Sequence, residues 1–131
     1  MAVKSVVPVD GLAKPAGVWS NTIVAEPGRL IFIAGLVARD AAGKMVGVGD
    51  MAAQTRQVCE NLKRAVEAAG GTLADLVRVD VYTSDISQFD AIHRVRREYF
   101  PDNPPVSTMV EVVKFVSPEA LIEINAIAVV K

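Results

Sequence analysis

Apolar side chains recur along the chain with the spacing of two amphipathic helices. The first is predicted from about Asp50 to Ala69, where one stripe has spacings of three and four: Met51, Thr55, Val58, Leu62, Val66 and Ala69. Asp50 fits the N-cap position, and Gly70-Gly71 can end the helix. The second is predicted over about Ser87 to Phe100, before Pro101, with a buried side made of Phe89, Ile92, Val95 and Tyr99.

Strands are predicted where β-forming residues run between turn residues. The stretch from Leu76 to Thr83 is the clearest, because valines alternate along it with Arg78 and Asp80. Similar runs predict further strands at Lys4–Val9, Trp19–Ala25, Arg29–Val37, Val106–Phe115 and Leu121–Val130. Helices and strands together predict an α+β protein, and the length fits one domain over residues 1–131.

The last predicted strand is apolar on both of its faces. One face, which we expect to pack on the helices, consists of Ile122, Ile124, Ala126, Ala128 and Val130. The other is also mostly apolar and consists of Leu121, Glu123, Asn125, Ile127 and Val129. Two helices cover only one face of a sheet, and an antiparallel sheet usually leaves its second face in water. We therefore expect another subunit to bury that second face.

Composition narrows the classes of partner. The 14 Lys and Arg residues against 15 Asp and Glu residues give a net charge of −1, so we expect no nucleic-acid partner. A lone cysteine forms no internal disulfide, which favours a cytoplasmic location. With one histidine and one cysteine, the usual zinc sites are excluded, and no metal is predicted. The longest apolar run, Leu30 to Ala38, is too short to span a bilayer, so no membrane association is expected.

Glu123 is the first candidate for chemistry. It lies between apolar neighbours on a sheet face that we expect to be covered. A carboxylate in such a place can pass protons or hold an attacking water. The alternative is a glutamate at a strand edge, in solvent or in a structural hydrogen bond.

The other reactive side chains indicate less. Cys59 falls on the seam of the first helix and is interpreted as a core residue. His93 lies on the second helix, where it either rims a pocket or is solvated. Arg94, Arg96 and Arg97 form a short basic cluster, for which a solvated helix face is expected.

Several segments, taken in order, resemble the Rid (YjgF) family of reactive-intermediate deaminases. Pro15–Ser20 is similar to the family's Pro-x-Gly-x-Tyr-Ser loop, and Ala34-Gly35 follows a strand where the family often has Ser-Gly. Further matches are Gln54-Thr55, Asn61-Leu62, Ala69-Gly70, Phe89, Tyr99-Phe100, Glu123-Ile124 and Ala126-Ile127-Ala128. Together they cover nearly the whole chain.

The resemblance implies a chorismate-mutase-like α+β fold, with a mostly antiparallel sheet and two helices on one face. It also implies a homotrimer whose sheets form a central barrel, with a small-molecule ligand bound in each cleft between subunits. The typical reaction of the family hydrolyses an imine or enamine, released by a pyridoxal-phosphate enzyme, to a carbonyl compound and ammonia. No metal or organic cofactor is expected.

Site residues follow from the resemblance position by position. Glu123 corresponds to the glutamate that positions water, and Trp19 to an aromatic residue of the cleft that is usually tyrosine. Ala34, which precedes Gly35, stands where the family has serine, and His93 stands where an asparagine is common. These residues form the predicted catalytic and substrate-binding set, together with Ser107, Thr108 and Met109.

Ser107 is the largest departure from the family pattern. The family's Pro-x-Arg-Ser segment contains the arginine that grips the substrate carboxylate, and the matching stretch here is Pro105-Val106-Ser107-Thr108. A serine hydroxyl cannot replace a bidentate guanidinium. This departure from the family pattern predicts little or no 2-aminoacrylate deaminase activity, and a ligand that is uncharged or differently charged at that end.

Two functions remain open at this point. One is an imine or enamine deaminase, in which Glu123 orients water and Trp19 covers the ligand. The other is a non-catalytic metabolite-binding or regulatory protein with the same cleft. Ribonuclease or translation-inhibitor activity is a weaker third hypothesis, because the charge is nearly neutral and neither a histidine pair nor a metal site is predicted.

Overall fold

The computed structural model describes residues 3–131, in which two helices pack on one face of a four-stranded sheet. Its helices are α1 (Met51–Ala68) and α2 (Phe89–Tyr99). Its strands are β1 (Lys4–Val6), β2 (Ile23–Ala25), β3 (Arg29–Leu36), β4 (Leu76–Thr83), β5 (Val106–Glu111) and β6 (Ile122–Val130). Short 3-10 turns precede β4 at Leu73–Asp75 and α2 at Ile86–Gln88.

The four-stranded sheet has the order β3-β6-β4-β5, and β1 pairs with β2 separately. Strand β6 is antiparallel to both of its neighbours, whereas β4 and β5 are parallel. Parallel pairing of successive strands requires a crossover, and α2 provides it. The predicted α+β class with a mostly antiparallel sheet is confirmed.

Helix α1 begins and ends within one residue of the prediction. Asp50 caps it, since its Oδ1 accepts a hydrogen bond from the Ala53 backbone N–H at 3.0 Å. Beyond its C-terminus Gly70 has φ of +91°, a conformation that favours glycine. The predicted stripe of α1 is buried apart from Ala69, which is half-buried. Within residues 3–131, no helix is long and apolar enough to cross a bilayer.

The two faces of the sheet have different surroundings. Ile122, Ile124, Ala126 and Ala128 point towards the helices and are at most 2% exposed, as the alternation in β6 predicts. The opposite face, called the open face below, carries several apolar side chains that are exposed in one copy of the chain, although Val129 on the same face is buried. Leu30, Phe32 and Val110 are respectively 60%, 71% and 43% exposed there.

Most strands are shorter than predicted. The predicted strand Val106–Phe115 ends at Glu111 because its neighbour β4 ends at Thr83, which is the register partner of Glu111. The predicted strand Trp19–Ala25 is regular only from Ile23, and Ser20 makes an isolated bridge to Val106. Apolar composition extends beyond the pairing in both places, since a strand requires a neighbour as well as β-forming residues.

Candidate functional site

A cavity of about 230 Å³ lies between α2 and β5. It is lined by Trp19, Phe89, His93, Arg96, Ser107 and Met109, and is called the α2–β5 cavity below. Ser107 and Met109 are in register with the buried valines 79 and 81 of β4, so their side chains point to the helix side of the sheet. Four residues of the predicted binding set therefore meet here: Trp19, His93, Ser107 and Met109.

His93 is buried in the wall of this cavity, with 3% of its surface exposed. Its ring meets Phe89 edge-on with centroids 3.9 Å apart, and its centroid lies 6.1 Å from that of Trp19. Burial, together with the charges of Arg96 and Arg97, lowers the pKa of His93 to about 4. Of the two placements that the sequence left open, the structure has the pocket placement, with a neutral imidazole at neutral pH.

The loop before β2 positions the indole of Trp19. A Cβ at Gly17 would lie 2.6 Å from Cζ3 of Trp19 and 2.9 Å from Cε1 of His93. The absence of a side chain at Gly17 therefore lets both rings pack over the loop backbone. The indole Nε1–H donates to the side chain of Asn21 at 3.2 Å, which fixes the orientation of the ring.

Arg96 corrects the prediction of a solvated basic cluster. Arg94 and Arg97 are exposed, but Arg96 is 1% exposed, and its Nη2 donates to the Val18 carbonyl and to Ser107 Oγ, each at 3.1 Å. Burial lowers the pKa of Arg96 to about 10, so the guanidinium remains cationic at neutral pH. The helical period contained a signal for this placement, because position 96 follows Ile92 by four residues on the buried side.

Glu123 lies on the open face, next to a bulge in β3. The β3–β6 register shifts between Ile33 and Leu36, so the chain at Ala34-Gly35 bends beside Glu123. A Cβ at Gly35 would lie 2.8 Å from Cδ of Glu123, so the absence of a side chain at Gly35 leaves room for the carboxylate in its present position. Glu123 is half-buried and makes no side-chain hydrogen bond within residues 3–131, which leaves its oxygens able to accept from water or a ligand.

The sheet separates the predicted site into two parts. Glu123, Ala34 and Gly35 form what is called the Glu123 site on the open face, while the α2–β5 cavity lies on the helix side. Thr108 is exposed and pairs with Asp80, which places it on the open face and not with Ser107 and Met109. One copy of the chain therefore does not bring Glu123 to the aromatic side chains.

Known proteins resemble this chain over almost its full length. The model of the family Endoribonuclease L-PSP matches residues 11–130. A RutC family protein of Pyrococcus horikoshii is 40% identical over 126 residues, which cover 96% of this chain and 98% of that protein. The 3-aminoacrylate deaminase RutC of Acinetobacter baylyi is 34% identical over 125 residues, which cover 95% of this chain and 97% of that protein.

The solved structures agree with the sequence matches. A protein of unknown function from Yersinia pestis, YyfB of the conserved Rid family, superposes with a TM-score of 0.91 at 32% identity. The superposition covers 98% of this chain and 99% of that one. The two helices on a mixed sheet are thus an architecture that this chain shares with a solved Rid structure, and the chain belongs to the Endoribonuclease L-PSP family, the Rid (YjgF) family.

Proposed function

We propose that this protein hydrolyses a small imine or enamine to a carbonyl compound and ammonia, in clefts where two copies of the chain meet. The observation that carries the proposal is the division of the site into two halves. The α2–β5 cavity can hold a ligand but contains no carboxylate, and the Glu123 site holds a free carboxylate on an open apolar face. A second copy placed on that face would bring its own α2–β5 cavity next to Glu123, and the two halves would form one site.

A homotrimer is the assembly that we propose for this purpose. Leu30 and Phe32 leave more than half of their surfaces exposed on the open face, which is costly for a protein in water. In a closed ring, each copy covers the open face of the next and contributes its α2–β5 cavity to the cleft between them. All clefts are then equivalent. The family resemblance supports a ring of three.

Glu123 acts as the base in the proposed reaction. Its carboxylate accepts a proton from water while the water oxygen attacks the carbon of the C=N bond, giving a carbinolamine. The same proton then passes to the nitrogen, which completes the neutral carbinolamine. Glu123 next removes the proton of the carbinolamine hydroxyl and donates it to the nitrogen, so that the C–N bond breaks and ammonia leaves as the C=O bond forms. An enamine enters this sequence after tautomerising to the imine.

The comparisons support this reaction class. The relative from Acinetobacter baylyi is named for the deamination of 3-aminoacrylate, which is an enamine. Its match extends over 95% of this chain. Such coverage includes both halves of the proposed site.

Glu123→Gln tests the proposal. A pyridoxal-phosphate-dependent dehydratase generates imines in the cuvette, and the release of the carbonyl product is compared with the spontaneous rate. We expect wild type to accelerate this release and Glu123→Gln to lower turnover by roughly two to four orders of magnitude, with the assembly mass unchanged. Glu67→Gln, on the exposed side of α1, is the matched control and should retain full turnover.

Two results would contradict the proposal. Full turnover in a folded Glu123→Gln variant would remove this carboxylate from the mechanism. Failure of wild type to accelerate any imine in a panel of charged and uncharged substrates would favour the non-catalytic binding protein.

A further inference from the structure

The positive charge of Arg96 has no counter-ion within the described part of its own chain. The ion pairs among residues 3–131 join Arg56 to Glu98 and Arg78 to Asp80. Cys59 is close to Arg96, but burial raises the pKa of its thiol to about 12, so it is neutral at neutral pH. A buried charge without a partner is strongly unfavourable, and such a group usually faces an anion.

Arg96 also retains unused hydrogen-bond donors. Its Nη2 donates to the Val18 carbonyl and to Ser107 Oγ. Its Nε is buried without a partner, and Nη1 donates to no atom of residues 3–131. Both protons of Nη2 are therefore used, and the enclosed Nε is out of reach of a ligand, which leaves the N–H groups of Nη1 to donate to an anion.

The other walls of the α2–β5 cavity carry no competing charge. His93 is neutral at neutral pH, and Trp19, Phe89 and Met109 provide apolar surface. The Ser107 hydroxyl accepts a hydrogen bond from Arg96, which leaves its own proton free to be donated to a ligand. Arg96 and Ser107 thus form one polar end in an otherwise apolar cavity.

We propose that Arg96 holds the carboxylate of the substrate, so that the ligand is the imine or enamine of a small oxo acid. This inference rests on the proposed function, because it takes the α2–β5 cavity as the substrate site. It reverses the expectation drawn from Ser107 alone. Nη2 of Arg96 lies 3.1 Å from Ser107 Oγ, so a guanidinium from α2 contacts the residue that stands at the position of the family's strand arginine. The volume of about 230 Å³ is suited to an acid of a few carbon atoms.

Titration with pyruvate and pyruvamide tests the charge preference. The two probes have similar size, but only pyruvate carries a carboxylate. We expect pyruvate to bind wild type more tightly than pyruvamide, and Arg96→Met to weaken pyruvate binding about ten- to a hundredfold. Pyruvamide should bind wild type and variant alike, and Arg94→Met, an exposed neighbour on the same helix, should bind pyruvate as wild type does.

Arg96→Lys is a second variant, which keeps the inference testable if Arg96→Met does not fold. Lysine retains the charge but lacks the planar fork, so binding of pyruvate should fall by about three- to tenfold. Circular dichroism shows whether each variant is folded. Unchanged pyruvate affinity in the folded Arg96 variants would overturn the inference. Equal affinity of wild type for pyruvate and pyruvamide would also overturn it, and would indicate that a carboxylate of a second copy neutralises Arg96.

Binding and turnover distinguish this inference from the proposed function. Pyruvate binding that depends on Arg96, in a protein that hydrolyses no imine, would support the carboxylate site and contradict the deaminase. Imine hydrolysis that keeps its KM for charged substrates in Arg96→Met would support the deaminase and contradict the carboxylate site.

Discussion

His93 makes the stability of the fold depend on pH. Its folded pKa is about 4, against an ordinary value of 6.5, because burial and the charges of Arg96 and Arg97 disfavour the imidazolium, an effect that Asp90 opposes in part. The unfolded chain therefore binds the proton more tightly. The stability that neutral His93 provides is complete above about pH 6.5 and is lost as the pH falls through 4.

Urea denaturation between pH 7 and pH 4 measures this effect. We expect the midpoint of wild type to fall more steeply below pH 6.5 than that of His93→Gln, in which the side chain cannot gain a proton. Carboxylates titrate in both proteins, so the difference between the two profiles isolates His93. Parallel profiles would show that the buried imidazole does not resist protonation.

Single residues also show where sequence reasoning reaches its limit. Glu123 was recognisable from the chain, because alternation in β6 places it on the face away from the helices. The burial of Arg96 was not recognisable, because its charge favoured an exposed position and only its place in the helical period favoured a buried one. The contact between Arg96 and Ser107 joins residues from α2 and β5, and no local pattern encodes such a contact.

Helices were more predictable than strands for a physical reason. The hydrogen bonds of α1 are formed within its own segment, so its apolar period and its caps suffice to locate it. The end of β5 depends on the end of β4, and the bulge at Ala34-Gly35 depends on pairing with β6. Both features are decided by a neighbour that is distant in sequence.

Gln54 connects α1 to two loops and should be important for stability. This fully buried amide donates to the carbonyls of Gly47 and Glu119 at 3.2 and 2.9 Å, and its Oε1 accepts from the Leu121 N–H at 2.8 Å. Gln54→Leu would remove the partner of the Glu119 carbonyl and of the Leu121 N–H, while the Gly47 carbonyl would keep only the Asp50 N–H. We expect the free energy of unfolding to fall by roughly 2–4 kcal/mol in urea denaturation at one chain concentration.

Gln57→Leu is the control for this change. Gln57 is half-buried on the same helix and donates only to the side chain of Asn61. Its replacement should change the unfolding free energy by less than about 1 kcal/mol. Equal losses in both variants would mean that the three backbone contacts of Gln54 contribute little.

At the scale of the whole molecule, the sheet has two roles. Its helix side buries the core, and its open face presents Glu123 among apolar side chains. Alternation in β6 predicted both faces, which is why a second subunit could be expected from the sequence. The assignment of Glu123 and the α2–β5 cavity to opposite sides needed the structure, because it depends on the register of β5 against β4.

Phe32→Asp tests the assembly on which the proposed clefts depend. Phe32 is 71% exposed in one copy, so the substitution leaves the core of that copy intact. In the proposed trimer the same side chain is buried, and an unpaired carboxylate there is strongly unfavourable.

Light scattering at micromolar concentration should give three times the 13.9 kDa chain mass for wild type and about one chain mass for the variant. Val48→Asp, 60% exposed in the loop before α1 and outside the four-stranded sheet, should keep the mass of wild type. A monomeric wild type, or a Phe32→Asp variant of unchanged mass, would mean that the open face is not the contact between copies. Loss of imine hydrolysis together with loss of assembly, in a variant that keeps its circular dichroism spectrum, would support a site shared by two copies.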